Sequence, residues 1–105
     1  MVHRVILTEA ALDDLTSISD YLAEVAGEDV AAAYDAQLKA ACLSLTEFPN
    51  RGRPRGQFRP GLRSIPFARL ATIFYVAEKD QVQVVRVIHA RRDLAAAFED
   101  RRDIP

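Results

Sequence analysis

The sequence predicts a small α+β fold in which a helical hairpin packs on one face of a sheet. Two amphipathic segments fill most of residues 1–50, and three strand-like segments follow in residues 51–105. Helices that precede a run of strands, without alternating with them, collect on one side of an antiparallel sheet. The length of 105 residues suits one domain, so residues 1–105 are expected to form a single unit.

The first half of the chain predicts one short strand and two helices. Residues 3–7 are mostly β-branched and aliphatic, which favours a strand. Thr8 can cap a helix over 9–26, and Gly27 can end it. A second helix is expected over 29–47, up to the proline that follows, so the two helices form an antiparallel hairpin.

The apolar residues of both helices recur at spacings of three and four, which places them on one face. That face is expected to comprise Ala11, Leu15, Ile18, Leu22 and Val25 in the first helix, and Val30, Ala33, Tyr34, Leu38, Ala41 and Leu45 in the second. The acidic residues of the first helix are Asp13, Asp14, Asp20 and Glu24. They fall mostly outside this face and are expected to point towards water.

The second half predicts a loop, three strands and a short helix. Residues 49–61 contain three prolines and three glycines, which predicts a long loop without regular structure. The expected strands cover 62–67, 71–77 and 82–89, and a polar turn at 78–81 joins the last two. The last strand is apolar on both faces near its centre, so it is expected to be central. A short terminal helix is expected from Ala90 to about Arg102, and the sheet face opposite the hairpin lacks an evident cover.

The charges are distributed unevenly along the chain. Residues 1–50 contain two basic and nine acidic residues, whereas residues 51–105 contain twelve basic and six acidic residues. Six arginines and no acidic residue lie between Arg51 and Arg69. This asymmetry suggests a basic functional surface, although arginines also keep an exposed loop soluble.

Composition excludes several classes of function. The single cysteine, Cys42, cannot form an internal disulfide, and the two histidines lie far apart in the sequence. Neither a metal site nor a cofactor is expected, because residues 51–56 also lack the lysine and hydroxyl of a phosphate-binding loop. No apolar run approaches the roughly 20 residues of a membrane span, and the N-terminal apolar run is too short for a signal peptide. The cytoplasm is therefore the expected location, with no membrane contact.

Five stretches of the sequence carry a family resemblance. They are Leu7–Leu15 with Ile18 and Tyr21–Ala23, Phe48–Arg53, Pro60–Arg63, Ile73–Tyr75, and Val85–His89 with Arg92–Asp93. In this order and spacing they resemble the ParE/RelE toxins, the toxic halves of type II toxin–antitoxin pairs, which include plasmid-stabilisation-type proteins. The resemblance covers about residues 3–95 and implies a RelE-like fold. Residues 86–93 look more like the ParE branch.

The ParE branch implies inhibition of DNA gyrase, without an enzymatic reaction of the toxin itself. The arginine-rich loop and the C-terminal segment would then form a basic surface that faces the target: Arg51, Arg53, Arg55, Arg59, Arg63, Arg91 and Arg92. The resemblance also implies a cognate antitoxin, a small protein whose C-terminal segment wraps the toxin in a hetero-oligomer. The residues expected to bind it are Leu94, Phe98, Arg59 and Arg63.

The first alternative is a ribosome-dependent mRNA endoribonuclease, as the RelE branch implies. Cleavage through the 2′-hydroxyl needs proton-transfer groups and positive charge beside the phosphate. The candidates are Arg63, Arg86, His89 and Arg91. None of the three predicted strands after the loop contains a lysine, and no tyrosine follows Tyr75, so proton-transfer capacity is thin.

A second alternative is a non-catalytic nucleic-acid-binding module built on the arginine loop. Phosphate contacts would make its affinity steeply dependent on salt. No row of aromatic residues interleaves with the arginines, however, so base stacking lacks support. Arg86 itself lies in an apolar strand, where a guanidinium requires a partner. It is expected either to pair with Asp93 or another acid, or to act in the functional site.

Overall fold

The computed structural model describes residues 4–68 and 70–89, which form a mixed five-stranded sheet with a helical hairpin on one face. The elements are β1 (Arg4–Leu7), α1 (Glu9–Ala26), α2 (Glu28–Leu43), β2 (Arg53–Pro54), β3 (Leu62–Phe67), β4 (Ala71–Ala77) and β5 (Gln81–His89). The strand order is β1-β5-β4-β3-β2, in which β1 runs parallel to β5 and the other neighbours are antiparallel. The predicted α+β class is confirmed.

Helix α1 begins and ends where the sequence predicts. The Thr8 side-chain oxygen accepts a hydrogen bond from the Ala11 N–H at 3.1 Å, and the Thr8 hydroxyl donates to the Val85 carbonyl at 2.7 Å. The same residue therefore caps the helix and fastens its start to β5. Gly27 separates α1 from α2 with φ +98°, a conformation that favours glycine.

Helix α2 ends at Leu43 rather than at residue 47, because the chain tightens into a 3-10 turn over Ser44–Thr46. The Ser44 hydroxyl donates to the Ala41 carbonyl at 2.7 Å, a local bond that competes with helix continuation. Phe48, the residue before Pro49, lies in the left-handed region at φ +53°, so the helix does not continue through it. The predicted boundary was wrong because these effects act before the proline is reached.

The buried faces of the helices differ in part from the prediction. The buried face of α1 differs from the prediction at three residues: Val25 is exposed, Ala10 is buried, and Asp14, which was expected to point towards water, is buried as well. The buried residues of α2 and its 3-10 turn are Ala31, Leu38, Cys42 and Leu45, while Val30 and Ala33 are exposed. Alanines surround α2 on several sides, so packing rather than apolar spacing sets its orientation.

The sheet follows the predicted strands with one addition. Strands β3 and β4 match the predicted bounds, and β5 starts one residue earlier than predicted, at Gln81. Strand β5 lies between β1 and β4, as expected of a central strand. The loop contains the two-residue strand β2, paired with β3, so the prediction of no regular structure was wrong there. Pro54 is compatible with it because β2 is an edge strand.

Two apolar clusters lie on opposite faces of the sheet. The larger cluster lies between the hairpin and the sheet, and includes Leu15, Leu38 and Tyr75. The smaller cluster comprises Leu62, Phe74, Val85 and Ile88, against which Phe58 and Val76 pack. The loop thus covers part of the face that lacked a cover in the sequence analysis. The predicted helix over 90–102 lies outside the described residues, and none of the described helices is long and apolar enough to cross a membrane.

Candidate functional site

The loop over residues 49–61, called the arginine loop below, is fastened to the sheet by its own Arg55 and by Arg63 of β3. Arg63 Nη1 donates to the carbonyls of Asn50 at 3.1 Å and Gly52 at 2.9 Å. Arg55 Nε donates to Ser64 Oγ at 2.8 Å. Because each guanidinium presents several donors in a fixed fork, each side chain can hold a stretch of loop in one conformation.

Arg51 fastens the start of the loop to the end of the hairpin. Its Nη2 donates to Ser44 Oγ at 3.0 Å and its Nη1 to the Glu47 carbonyl at 3.4 Å. A cation at the C-terminal end of a helix also lies where the helix dipole favours positive charge. The Arg51 N–H donates to the Phe48 carbonyl at 3.1 Å, which closes a turn over residues 48–51.

Gly52 lies against the sheet at a point where no side chain fits. Its N–H donates to the Tyr75 hydroxyl at 2.9 Å. A Cβ atom at this position would lie 2.5 Å from that hydroxyl oxygen and 3.0 Å from the Ser64 carbonyl oxygen. The close approach of loop and sheet therefore requires glycine.

The basic surface predicted from the sequence is divided in the structure. Arg51, Arg55 and Arg63 use donors on their own chain, as described above, although all three retain contact with solvent. Arg53 is exposed on the edge strand β2, and Arg59 is half-buried. Arg91 and Arg92 lie outside the described residues, as do Leu94 and Phe98.

Arg86 and Asp14 form a buried ion pair between β5 and α1. Arg86 Nε and Nη2 donate to Asp14 Oδ2 and Oδ1, each at 2.7 Å, and Oδ2 also accepts from the Val87 N–H at 2.9 Å. Arg86 is 1% exposed. The partner anticipated for this arginine is thus an acid from α1, and the pair joins residues 72 positions apart.

This pair lies at a local irregularity of the sheet. Phe74 pairs with Arg86 whereas Tyr75 pairs with Val84, so Val85 is an extra residue in β5. Strand β1 pairs with β5 only up to Val84. Beyond that point the Thr8 hydroxyl donates to the Val85 carbonyl, and the Asp14 carboxylate accepts from the Val87 N–H. Two side chains of the α1 region therefore satisfy backbone groups of β5 that β1 does not reach.

An apolar cleft opens between β1 and the helical hairpin, and the sequence analysis missed it. It has a volume of about 240 Å³ and is lined by Leu7, Leu12, Lys39, Cys42 and Leu43. Leu12 and Leu43 are exposed, and β1 beside them is an edge strand of the sheet. Both leucines lie outside the apolar faces inferred from spacing. Their position there is the one feature of the sequence that indicates an exposed apolar site.

The family described as "ParE toxin of type II toxin-antitoxin system, parDE" matches residues 5–94. The chain belongs to the ParE toxin family. Toxin ParE3 of Caulobacter vibrioides is 31% identical over 93 residues, which cover 89% of this chain and 92% of that protein. Toxin ParE1 of Mycobacterium tuberculosis is 35% identical over 95 residues, which cover 90% of this chain and 96% of that protein.

A solved structure of the "Chromosomal ParDE TA system from P. aeruginosa" has the same fold as this ParE-family chain. The TM-score is 0.74 at 21% sequence identity, with 87% of this chain and 98% of that chain covered. The similarity confirms the α+β fold predicted from the sequence. The chain is accordingly a ParE-type toxin of a type II toxin–antitoxin system.

Two of the residues considered for RNA cleavage, Arg86 and His89, make contacts within the fold of this ParE-family toxin. Arg86 is buried against Asp14 and is not positioned to contact a phosphate. The His89 ring packs edge-on against Tyr21, with ring centroids 5.4 Å apart, beside a cavity of about 380 Å³ that Ser17 and Ile18 also line. Among the described residues, no three His, Cys, Asp or Glu side chains cluster closely enough to hold a metal ion.

Proposed function

We propose that this ParE-type toxin stops growth by binding and inhibiting DNA gyrase, and that a cognate antitoxin neutralises it by direct contact. The observation that carries the choice of an inhibitor is the buried Arg86–Asp14 pair. The pair removes from the surface Arg86, one of the two ribonuclease-candidate arginines that lie within the sheet. An inhibitor needs a stable binding surface and no proton-transfer groups, which fits a fold stiffened by such a pair and by a fastened loop.

The antitoxin is proposed to occupy the apolar cleft beside β1. Leu12 and Leu43 expose apolar surface there, and an exposed apolar patch of this kind is typical of a protein-binding site. An extended or helical segment of the partner could place apolar side chains in the cleft. Of the arginines first assigned to the antitoxin, Arg59 would extend this contact towards the arginine loop, whereas Arg63 bonds to the Asn50 and Gly52 carbonyls of its own chain. Toxin and antitoxin would then form a hetero-oligomer in the cytoplasm, where both proposed partners act.

The target is tested with purified toxin, released from its antitoxin, in two parallel assays. In a gyrase supercoiling assay we expect loss of supercoiling or trapped cleaved DNA, and restoration when the antitoxin is added in excess. In a ribosome-programmed mRNA cleavage assay we expect intact RNA. Cleaved mRNA with normal supercoiling would overturn the proposal and return attention to Arg63, His89 and Arg91.

The antitoxin site is tested by placing a charge in the cleft. Leu12→Asp should weaken antitoxin binding at least tenfold, because a desolvated carboxylate in an apolar contact is strongly unfavourable. Val30→Asp is the matched control, since Val30 is 49% exposed and Leu12 is 51% exposed, but Val30 lies at the start of α2, away from the cleft. Calorimetric titration measures both variants. Equal affinities for Leu12→Asp and the wild-type toxin would exclude the cleft as the antitoxin site.

A further inference from the structure

Phe48 is placed where neither burial nor backbone preference accounts for a phenylalanine. It is 79% exposed, the highest value among the large apolar side chains that the structure describes. Its φ of +53° lies in the left-handed region, which bulky residues rarely adopt. Strained backbone and exposed apolar surface both disfavour this residue in an isolated domain, and their coincidence at one position is typical of a functional site.

The turn that presents Phe48 is held at several points. The Arg51 N–H donates to the Phe48 carbonyl at 3.1 Å, across the turn that contains Pro49. The Arg51 side chain bonds to the end of the hairpin, and Arg63 donates to the Asn50 carbonyl at 3.1 Å. An aromatic side chain on a rigid turn loses little conformational freedom when it binds, and this raises its contribution to affinity.

The charge around the turn favours an acidic partner. Arg51 lies in the same turn as Phe48, Arg63 donates to the Asn50 carbonyl of that turn, and no acidic residue lies between Arg51 and Arg69. Carboxylates on a partner would therefore meet arginine donors and little repulsion. Glu47, whose backbone carbonyl accepts from Arg51, is the acidic residue next to Phe48 in the sequence.

A protein surface fits this arrangement better than a nucleic acid. Single-stranded nucleic acids are bound by several aromatic residues along a basic groove, but Phe58, the other aromatic residue of the loop, packs into the smaller apolar cluster. One rigid aromatic residue flanked by arginines is the composition of a protein–protein hot spot.

We infer that the Phe48 turn, residues 48–51, anchors this toxin to an acidic protein surface of its target. The Phe48 ring enters an apolar pocket of that surface, and Arg51 and Arg63 face carboxylates at the rim of the pocket. The inference rests on the proposed function in taking gyrase as the target. It assigns the target to one end of α2 and leaves the cleft beside β1 to the antitoxin.

The test replaces Phe48 by asparagine, which removes the ring and tolerates a positive φ better than most residues. Val25→Asn is the matched control, because Val25 is 60% exposed and lies in the last turn of α1, at the opposite end of the hairpin. Five properties of the full chain are measured: the thermal midpoint, antitoxin affinity, affinity for DNA without gyrase, the toxin concentration that halves gyrase supercoiling, and growth inhibition on induction. Phe48→Asn should raise the half-inhibitory concentration at least tenfold and weaken growth inhibition. Its thermal midpoint should stay equal or rise, and its antitoxin affinity should stay within about threefold. Val25→Asn should match the wild-type toxin throughout.

Several results would overturn the inference. Wild-type inhibition and toxicity of Phe48→Asn would show that the ring contacts no target. A fall in thermal midpoint that accounts for the lost inhibition would make Phe48 structural. An equal loss of antitoxin affinity would assign the turn to the antitoxin, and an equal loss of affinity for DNA without gyrase would assign it to nucleic acid. If the wild-type toxin stops growth without affecting gyrase, the proposed target is wrong. The inference about the Phe48 turn is then decided by comparing the growth inhibition caused by Phe48→Asn with that caused by Val25→Asn.

Discussion

Replacing Asp14 by asparagine tests whether the buried pair with Arg86 holds α1 on the sheet. The aspartate accepts two hydrogen bonds of 2.7 Å from the Arg86 guanidinium and one of 2.9 Å from the Val87 N–H. Asparagine has nearly the same volume but offers one acceptor oxygen, and its amide group turns donors towards a guanidinium that only donates. Arg86, 1% exposed, would remain buried without its counter-ion.

The expected loss of stability is large. Removing one partner of a buried ion pair costs about 3–5 kcal/mol, because the remaining charge is left uncompensated. Small domains are stable by about 5–15 kcal/mol, so Asp14→Asn should lose roughly a fifth or more of the total. At about 4–8 °C per kcal/mol, the thermal midpoint should fall by more than about 12 °C. Lys39→Ala breaks the more exposed Lys39–Asp35 pair of 2.9 Å and should cost less than about 0.5 kcal/mol.

Urea unfolding, monitored by circular dichroism, measures the loss of stability in each variant. If Asp14→Asn and Lys39→Ala lose equal amounts, the argument for the buried pair is refuted. A double variant, Asp14→Leu with Arg86→Met, separates charge from packing. It should recover much of the lost stability because both charges are removed together. The recovery is incomplete because the Val87 N–H loses its Asp14 acceptor, and an unsatisfied buried N–H costs about 1–3 kcal/mol. A double variant as unstable as Asp14→Asn would mean that uncompensated charge is not the cause.

Two further predictions concern the core and the loop. Burial raises the pKa of the Cys42 thiol from 9.0 to about 11, so native protein at pH 8 should react with iodoacetamide at least tenfold more slowly than unfolded protein. Its stability should also fall as the pH rises from about 9 towards 11, because the unfolded state then releases the thiol proton more readily, and Cys42→Ala should lack this part of the decline. Gly52→Ala would place a methyl group 2.5 Å from the Tyr75 hydroxyl. It should cost about 2 kcal/mol or more in urea unfolding, whereas Tyr75→Phe should lose about 1–3 kcal/mol from the unpaired Gly52 N–H.

The parts of the fold that the sequence predicted correctly depend on short-range signals. Thr8 and Gly27 define α1 because capping and positive φ are properties of a few adjacent residues. The bounds of β3 and β4 follow from apolar runs that end at turn residues. The resemblance to the ParE family depended on the same local stretches, taken in order, and the family match to residues 5–94 confirmed it.

The parts that the sequence did not predict depend on contacts between distant segments. Asp14 lies three residues after Ala11 and four before Ile18, so spacing places it at the edge of the apolar face, but only the crossing of α1 over β5 brings it to a residue 72 positions away. The apolar cleft depends likewise on β1 meeting the hairpin, which places Leu12 and Leu43 beside each other at its wall. Amphipathic spacing describes one helix at a time and contains no information about such crossings.

The arginine loop changes how its basic residues should be interpreted. The sequence assigned Arg51 and Arg55 of the loop and Arg63 of the following strand to the target because they lie in an arginine-rich segment, yet each bonds to its own chain. Alanine at Arg63 would remove charge and also release the carbonyls of Asn50 and Gly52, so weaker toxicity could follow from a loosened Phe48 turn. Arg53 is exposed on β2 and makes no bond of this kind within the described residues. Arg53→Ala therefore changes the charge of the loop while its fastening stays intact, and the difference between the two substitutions separates attraction to the target from the shape of the loop.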